Sequence, residues 1–293
     1  MLIIDFNGIM IQQVAHATKE LGAANCGLTE IKNYFYRELL YIRKKFSDHE
    51  DVVIACDSPN SWRKQSFPYY KAHRKAARAK LSFDWDLAMT AVTTIQQELT
   101  ENFPYKVVKV PECEADDIIA VVCKHVSGYE HGLTLNNEPL QIVSTDQDFL
   151  QLQTIKTVSQ WAPTTNKVLI ESDPDKFLFD KILKGDAGDG VPNVLSDDDI
   201  MVMGIRQKPI TQVRIEKWTE HFIQNNGELH PDIDPIKYAR NKNLVDLLNC
   251  IPDEICGKIM DAYLAAKPAS KLKLQSFFIT NQMKSLYHES QLF

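Results

Sequence analysis

Residues 106–122, KVVKVPECEADDIIAVV, hold the stretch on which the fold turns. Lys106–Val110 has the length and apolar character of a short strand, and Pro111 ends it, since proline cannot donate to a ladder. The run Glu114-Ala-Asp-Asp117 then opens a helix over 114–126 with an apolar face of Ile118, Ile119, Val121 and Val122. A strand, a turn and a helix opening on acids make up half of a βαβ unit.

The chain on either side repeats that grammar. Leu2–Phe6 reads as a buried strand, and Val52–Cys56 as a second, closed by the turn residues Asp57-Ser58-Pro59-Asn60. Helices are expected over 29–46, with Thr29 as cap, and over 86–102, stopped by Pro104. A fourth strand is expected over 141–145, followed by a short helix from Asp146 to Leu152. The runs 158–162 and 167–171 resemble a hairpin around Pro163-Thr-Thr-Asn166. Alternating strands and helices predict an α/β fold: a mixed, mostly parallel central sheet flanked by helices, with its ligand crevice at the carboxyl ends of the strands. Beyond about residue 180 helical patterns take over, near 243–248 and 273–283. The expected division is therefore 1–180 and a smaller helical part, 181–293.

Composition narrows the class. The six cysteines form no CxxC pair and show no zinc spacing, so they read as reduced cysteines of a cytosolic protein. The apolar start MLIIDFNGIM carries Asp5 and no leading base, against a signal peptide, and no apolar stretch reaches membrane-spanning length.

The acids are distributed unevenly. Asp5 lies in or at the end of strand one, and Asp57 ends strand two. Glu114, Asp116 and Asp117 follow strand three, and Asp146 and Asp148 follow strand four. Asp186 and Asp189 stand in Lys-Gly-Asp-Ala-Gly-Asp-Gly. Crowded carboxylates repel unless a cation sits among them. An all-oxygen donor set suits Mg²⁺ or Mn²⁺, and a pair of such ions about 4 Å apart serves in-line phosphodiester hydrolysis. Singly, each acid could be a cap or a turn residue; the convergence of five segments is what points to metal. The net charge of −6 does not exclude a nucleic-acid partner, because without these nine acids 33 bases face 30 acids.

The stretch 61–83 contains no acid and interleaves bases with aromatics: Arg63, Lys64, Tyr70, Lys71, Arg74, Lys75 and Arg78 are its candidate nucleic-acid contacts. A solvated basic helix anchored by Trp62 and Phe67 is the plainer reading of part of it.

These motifs together resemble the 5′-nuclease (flap endonuclease) superfamily, and within it the ribonuclease H branch of T-even bacteriophages. The runs that carry the resemblance are IIDF (3–6), WRK…YYK (62–71), FDWD (83–86), EADD (114–117), STDQDF (144–149), QWAP (160–163) and KILKGD (181–186). It implies a PIN-like catalytic domain with an arch near 60–82 and a C-terminal helical DNA-binding domain. It also implies Mg²⁺-dependent 5′→3′ exonuclease, flap endonuclease and RNase H activity on DNA and RNA/DNA duplexes, with primer removal in the host cytoplasm. By motif match, Asp5, Asp57, Glu114, Asp116 and Asp117 would serve one ion, and Asp146, Asp148, Asp186 and Asp189 a second. Asp116 and Asp146 would be central to catalysis. Lys71 and Arg74 would contact the scissile phosphate, and Tyr70 would stack on the terminal base. A single-strand-binding protein and a sliding clamp are the implied partners of a monomer, and QSFF (275–278) or the tail to Phe293 could offer a clamp peptide. One stretch departs from the family pattern: where a glycine-rich helix–turn–helix would follow the last aspartate, this chain reads GVPNVLSDDD (190–199). A single-strand PIN-type ribonuclease and a non-catalytic DNA-binding protein are the alternatives.

Overall fold

The computed structural model describes residues 1–74 and 83–293; Lys75 and Arg78, expected nucleic-acid contacts, lie outside the described residues. Six strands form one sheet: β1 (Leu2–Asp5), β2 (Val52–Cys56), β3 (Lys106–Lys109), β4 (Leu140–Val143), β5 (Val158–Ala162) and β6 (Lys167–Leu169). Their order is β3-β2-β1-β4-β5-β6. The first five run parallel, and β6 closes the expected hairpin with β5 in antiparallel register. The chain order reverses between β1 and β4, which is where a doubly wound sheet opens its crevice.

Strand alternation decides what covers each face. Leu2, Ile4, Val52 and Ile54 point to one face, Ile3, Val53 and Ala55 to the other. The first face receives α1 (Phe6–Leu21) and α2 (Leu28–Lys45). After β2 come the short α3 (Trp62–Ser66) and then α4 (Trp85–Asn102), which joins α1 and α2 on that face. The second face receives α5 (Ala115–Ser127). α1 has no counterpart among the sequence expectations; Asp5, which reads as strand, makes the helix possible by accepting the Gly8 N–H (3.2 Å) as its N-cap. The cap expected at Thr29 is instead Gly27, whose N–H donates to Glu30 Oε2 at 3.0 Å.

The later helices are α6 (Pro174–Lys184), α7 (Gln212–Gln224), α8 (Pro235–Val245), α9 (Asp253–Ala265), α10 (Lys271–Thr280) and α11 (Lys284–His288). They do not pack only among themselves. α9 joins α5 on the second sheet face through Ile255, Ile259 and Tyr263. Leu274, Phe277, Phe278, Leu286 and Phe293 complete the core on the first face. A separate small core, with Phe179, Leu183, Ile215 and Trp218, ties α6 to α7. Much of the chain after residue 181 is therefore cover for a two-faced sheet, whose strands are apolar on both sides.

α6 ends at Gly185, whose φ of +68° and contact geometry (an added Cβ would lie 2.3 Å from the Val191 carbonyl oxygen) admit only glycine. The chain then folds into a tight loop, in which Asp186 and Val191 exchange two backbone hydrogen bonds of 2.8 Å. Among the described residues no helix is long and apolar enough to cross a membrane.

Candidate active site

The carboxyl edge of the sheet gathers the acids. Asp5, at the end of β1, accepts from Ser144 Oγ at 2.7 Å. Asp57 follows β2 and accepts the Ala115 N–H at 2.7 Å, which fastens the β2 turn to the start of α5. Glu114 is the N-cap of α5, with Asp116 and Asp117 in its first turn, where the helix dipole favours anions. Asp146 caps the 3₁₀ helix Gln147–Thr154 by accepting the Asp148 N–H at 2.9 Å. Behind it, Gln160 from β5 donates to the carbonyls of Ser144 (3.0 Å) and Asp146 (2.6 Å). The loop after α6 brings Asp186 and Asp189, joined by an Asp189 N–H to Asp186 Oδ1 bond of 3.0 Å.

The acids then divide by what neutralises them. Asp117 is fully buried and faces away from the crevice. Arg63 reaches both its oxygens, Nη2 to Oδ1 at 2.8 Å and Nη1 to Oδ2 at 3.0 Å, and Trp62 Nε1 donates to Oδ2 at 3.3 Å. Its Oδ2 also takes the Glu114 N–H at 2.9 Å, closing a capping box. The implied role of Asp117 as a metal ligand is therefore corrected: its oxygens are spent on Arg63, the cap and the indole. Arg63 is corrected with it. At 2 % exposure and with Nε donating to the Leu244 carbonyl at 2.8 Å, it has no path to a phosphate.

On the crevice side, Asp5, Asp57, Asp116 and Asp146 form no ion pair with a lysine or arginine among the described residues. Desolvation, followed by the nearby charge of Asp57, pushes Asp5 up to about 7, against its donors from Ser144 and Gly8. Desolvation and then Asp146 raise Asp116 well above the usual carboxylate range. Asp57 is raised by burial, with Ala115 N–H and Lys71 opposing. Asp148 is pushed up to about 7 by burial, with Asp146 and Asp186 adding to it and Lys181 opposing. Asp146 is exposed, and its field acts on Asp5, Asp116 and Asp148 alike, so it stands between the two halves of the cluster.

Two lysines reach into the cluster. Lys71 Nζ lies 2.5 Å from Glu114 Oε1 and 3.5 Å from Asp189 Oδ2. Lys181, on α6, lies 2.5 Å from Asp148 and 2.7 Å from Asp186. Burial would raise Asp186, but Lys181 outweighs it and holds that carboxyl below its usual value. Lys181 appears in no sequence expectation; the signal that pointed to it was only its place five residues before Asp186 in KILKGD.

The segment after α3 locks onto the 186–191 loop. Lys71 N–H donates to the Asp189 carbonyl (2.7 Å), Arg74 Nε to the Gly188 carbonyl (2.9 Å), and Arg74 Nη2 to Asp189 Oδ1 (2.6 Å). Tyr70 is buried, with its hydroxyl donating toward Glu114 (2.7 Å) and Asp189 (2.5 Å). Its ring, packed with Phe67, Ile182 and Val191, is not presented for stacking on a base, which corrects that expectation. Lys64 is exposed and remains available to a polyanion.

The divergent stretch after Asp189 forms no helix in the structure. Its acids cover basic groups of α8 instead: Asp197 pairs with Lys237 at 3.0 Å and Asp198 with Arg240. Phe277, Phe278 and Phe293 are core residues, so 275–293 offers no free clamp peptide.

Among the described residues no three carboxylates, histidines or cysteines stand close enough to hold an ion as they are. The donor set nevertheless fits a hard divalent cation. It is made of carboxylate oxygens whose mutual repulsion a cation would relieve, and two ammonium groups already stand in for positive charge within it. Beside the second half of the cluster a cleft of about 790 Å³ is lined by Thr145, Asp146, Asp148, Lys176, Lys181 and Asp186 among others.

Comparison with known proteins gives two family matches: "5′-3′ exonuclease, N-terminal resolvase-like domain" over residues 1–178 and "T4 RNase H, C terminal" over 172–292. The chain is 29 % identical over 250 residues to the ribonuclease H of Enterobacteria phage T4, covering 83 % of this chain and 79 % of that one. Among solved structures, the T5 5′-exonuclease with bound zinc superposes with a TM-score of 0.59 at 16 % identity, over 91 % of this chain and 98 % of the other. The T5 D15 protein co-crystallised with metal ions gives 0.57 at 17 %, over 90 % and 97 %. A variant of the T5 D15 flap endonuclease, described as a pseudo-enzyme-product complex with DNA and metal ions, gives 0.57 at 16 %, over 90 % and 98 %. The structural likenesses establish the shared fold.

Proposed function

The chain belongs to the 5′-3′ exonuclease family and is a nuclease; from that premise we propose that it is a Mg²⁺-dependent 5′→3′ exonuclease and flap endonuclease with RNase H activity. Its substrates are DNA and RNA/DNA duplexes with a 5′ end or flap, and its task is removal of primers in phage lagging-strand replication, as a monomer in the host cytoplasm. The observation that carries the reading is the crowding of Asp5, Asp57, Asp116, Asp146 and Asp148 at one sheet edge, where among the described residues only Asp148 has an ion-pair partner, Lys181. The metal ions and DNA described for the T5 relatives support it. Residues 1–180 carry most of the chemistry, Asp186 and Asp189 from the following loop complete it, and the helices beyond them add duplex contacts. A single-strand-binding protein and a sliding clamp are its replication partners, the clamp through a surface other than 275–293.

Asp5, Asp57 and Asp116 would hold one ion, and Asp148 and Asp186 a second, with Asp146 between them. Glu114 and Asp189 would join through the same crevice when Lys71, Tyr70 and Arg74 turn from them to substrate. When bound, Mg²⁺ supplies Lewis acidity that activates water and stabilises a leaving 3′ oxygen, and Mn²⁺ can substitute. Lys71 and Arg74, at the lip of the cluster, offset phosphate charge and place the scissile bond over the acids. Asp117 and Arg63 keep the start of α5 rigid, so that Asp116 and Glu114 point outward.

Cleavage of a 5′-labelled flap and of an RNA/DNA hybrid, with and without Mg²⁺, tests this. Both are cut only with the ion, near the 5′ end, while plain single-stranded RNA is spared. No cleavage of either with Mg²⁺ or Mn²⁺ sinks the proposal, and equal cleavage of single-stranded RNA replaces it with the PIN-type ribonuclease reading.

A further inference from the structure

Lys181 occupies a position that the reaction described above does not use. Its side chain is 14 % exposed, and its ammonium bridges Asp148 and Asp186. Two elements aim it there. α6 packs along the 3₁₀ helix that carries Asp148, and the turn at Gly185 brings Asp186 back over the last turn of α6. One monovalent cation is thus shared by two carboxylates that would serve the second ion. The other half of the cluster differs: no lysine or arginine among the described residues pairs with Asp5, Asp116 or Asp146.

An ammonium and a divalent ion compete for the same carboxylate lone pairs. Entry of the ion breaks two contacts of a largely desolvated lysine, a cost with no counterpart at Asp5 and Asp116. The displaced side chain has somewhere to go, since Lys181 lines the 790 Å³ cleft. We propose that Lys181 is a built-in competitor for the second divalent ion, so that the ions load in order, first beside Asp5, Asp57 and Asp116 and only then between Asp148 and Asp186. The inference rests on the two-ion reading above.

Calorimetric titration of Mn²⁺ into the full-length, substrate-free protein separates the possibilities. Wild type takes up the ions with unequal affinity, the second being the weaker. In Lys181→Met the second ion binds at least about tenfold tighter while the first is unchanged, and the melting temperature of the ion-free protein falls. Lys181→Arg, which keeps the charge, retains the weak second step. Lys181→Gln gives the same readout as Met should the apolar variant fail to fold. A lysine that merely props the loop would instead leave the second affinity unchanged, or weaken it, on removal. Either result in a folded variant overturns the inference, as do two equal sites in the wild type. A wild-type protein that takes up no divalent ion overturns the nuclease reading, and the inference with it.

Discussion

Asp116 and Asp117 are neighbours in sequence and opposites in the structure. Asp117 lies on the floor beneath the crevice, closed off by Arg63, Trp62 and the α5 cap. Asp116 lies on the crevice side, where desolvation and Asp146 push its carboxyl up against Lys71, and no lysine or arginine among the described residues forms an ion pair with it. The difference teaches that acidity alone does not mark a catalytic ligand. An acid satisfied by its own protein is scaffold, and an acid left in surplus is where a cation can bind.

Substitution on the two sides should separate these roles. On the crevice side, Asp116→Asn or Asp146→Asn should cut kcat by roughly 10³-fold or more, since each removes a ligand from the charged-ion chemistry. Binding of a flap substrate, measured by anisotropy, should persist. Full activity in a Mg²⁺ flap assay would place both acids outside the site. On the floor, Asp117→Ala should show up mainly as instability. It strands a buried guanidinium, at a cost of about 3–5 kcal/mol, readable by denaturant unfolding. A variant as stable as wild type would show that Arg63 is not held as described.

Acidity of the medium sharpens the contrast. Asp5 and Asp148 stand at about 7 in the folded chain against 3.8 for an unperturbed carboxyl. Such raised groups stabilise the fold fully below pH about 4, and that contribution is lost as pH rises toward 7. In EDTA the melting temperature should therefore drop between pH 4 and 7 by on the order of 5 °C, and then level off. Saturating Mg²⁺ at pH 7 should recover much of it; a flat profile in EDTA would mean the acids are not crowded. The smallest effect belongs to exposed Lys64. Lys64→Ala should shift stability by under about 0.5 kcal/mol and lower the salt slope of DNA binding by about 1.

Much of this was legible beforehand where the signal was local. Val52–Cys56 and Val158–Ala162 match their expected spans, and the other strands fall within a residue or two. Asp57, Glu114 and Asp146 stand where the turns after those strands put them. α1 escaped because its helical start depends on a cap from Asp5, a residue that read as strand. Burial of Arg63 and Tyr70 escaped because a basic, aromatic run looks the same whether it faces solvent or a carboxylate more than 40 residues away in sequence.

By itself, the sequence determined the alternation that makes a two-faced parallel sheet and the supply of acids at its carboxyl edge, because residue periodicity and turn chemistry act over a few residues. Only the tertiary structure decided which acids are neutralised by Arg63, Lys71 and Lys181, and that the C-terminal aromatics serve the core. Those outcomes are set by charges and surfaces that meet across long stretches of chain, where desolvation and pairing act between segments that no local pattern relates.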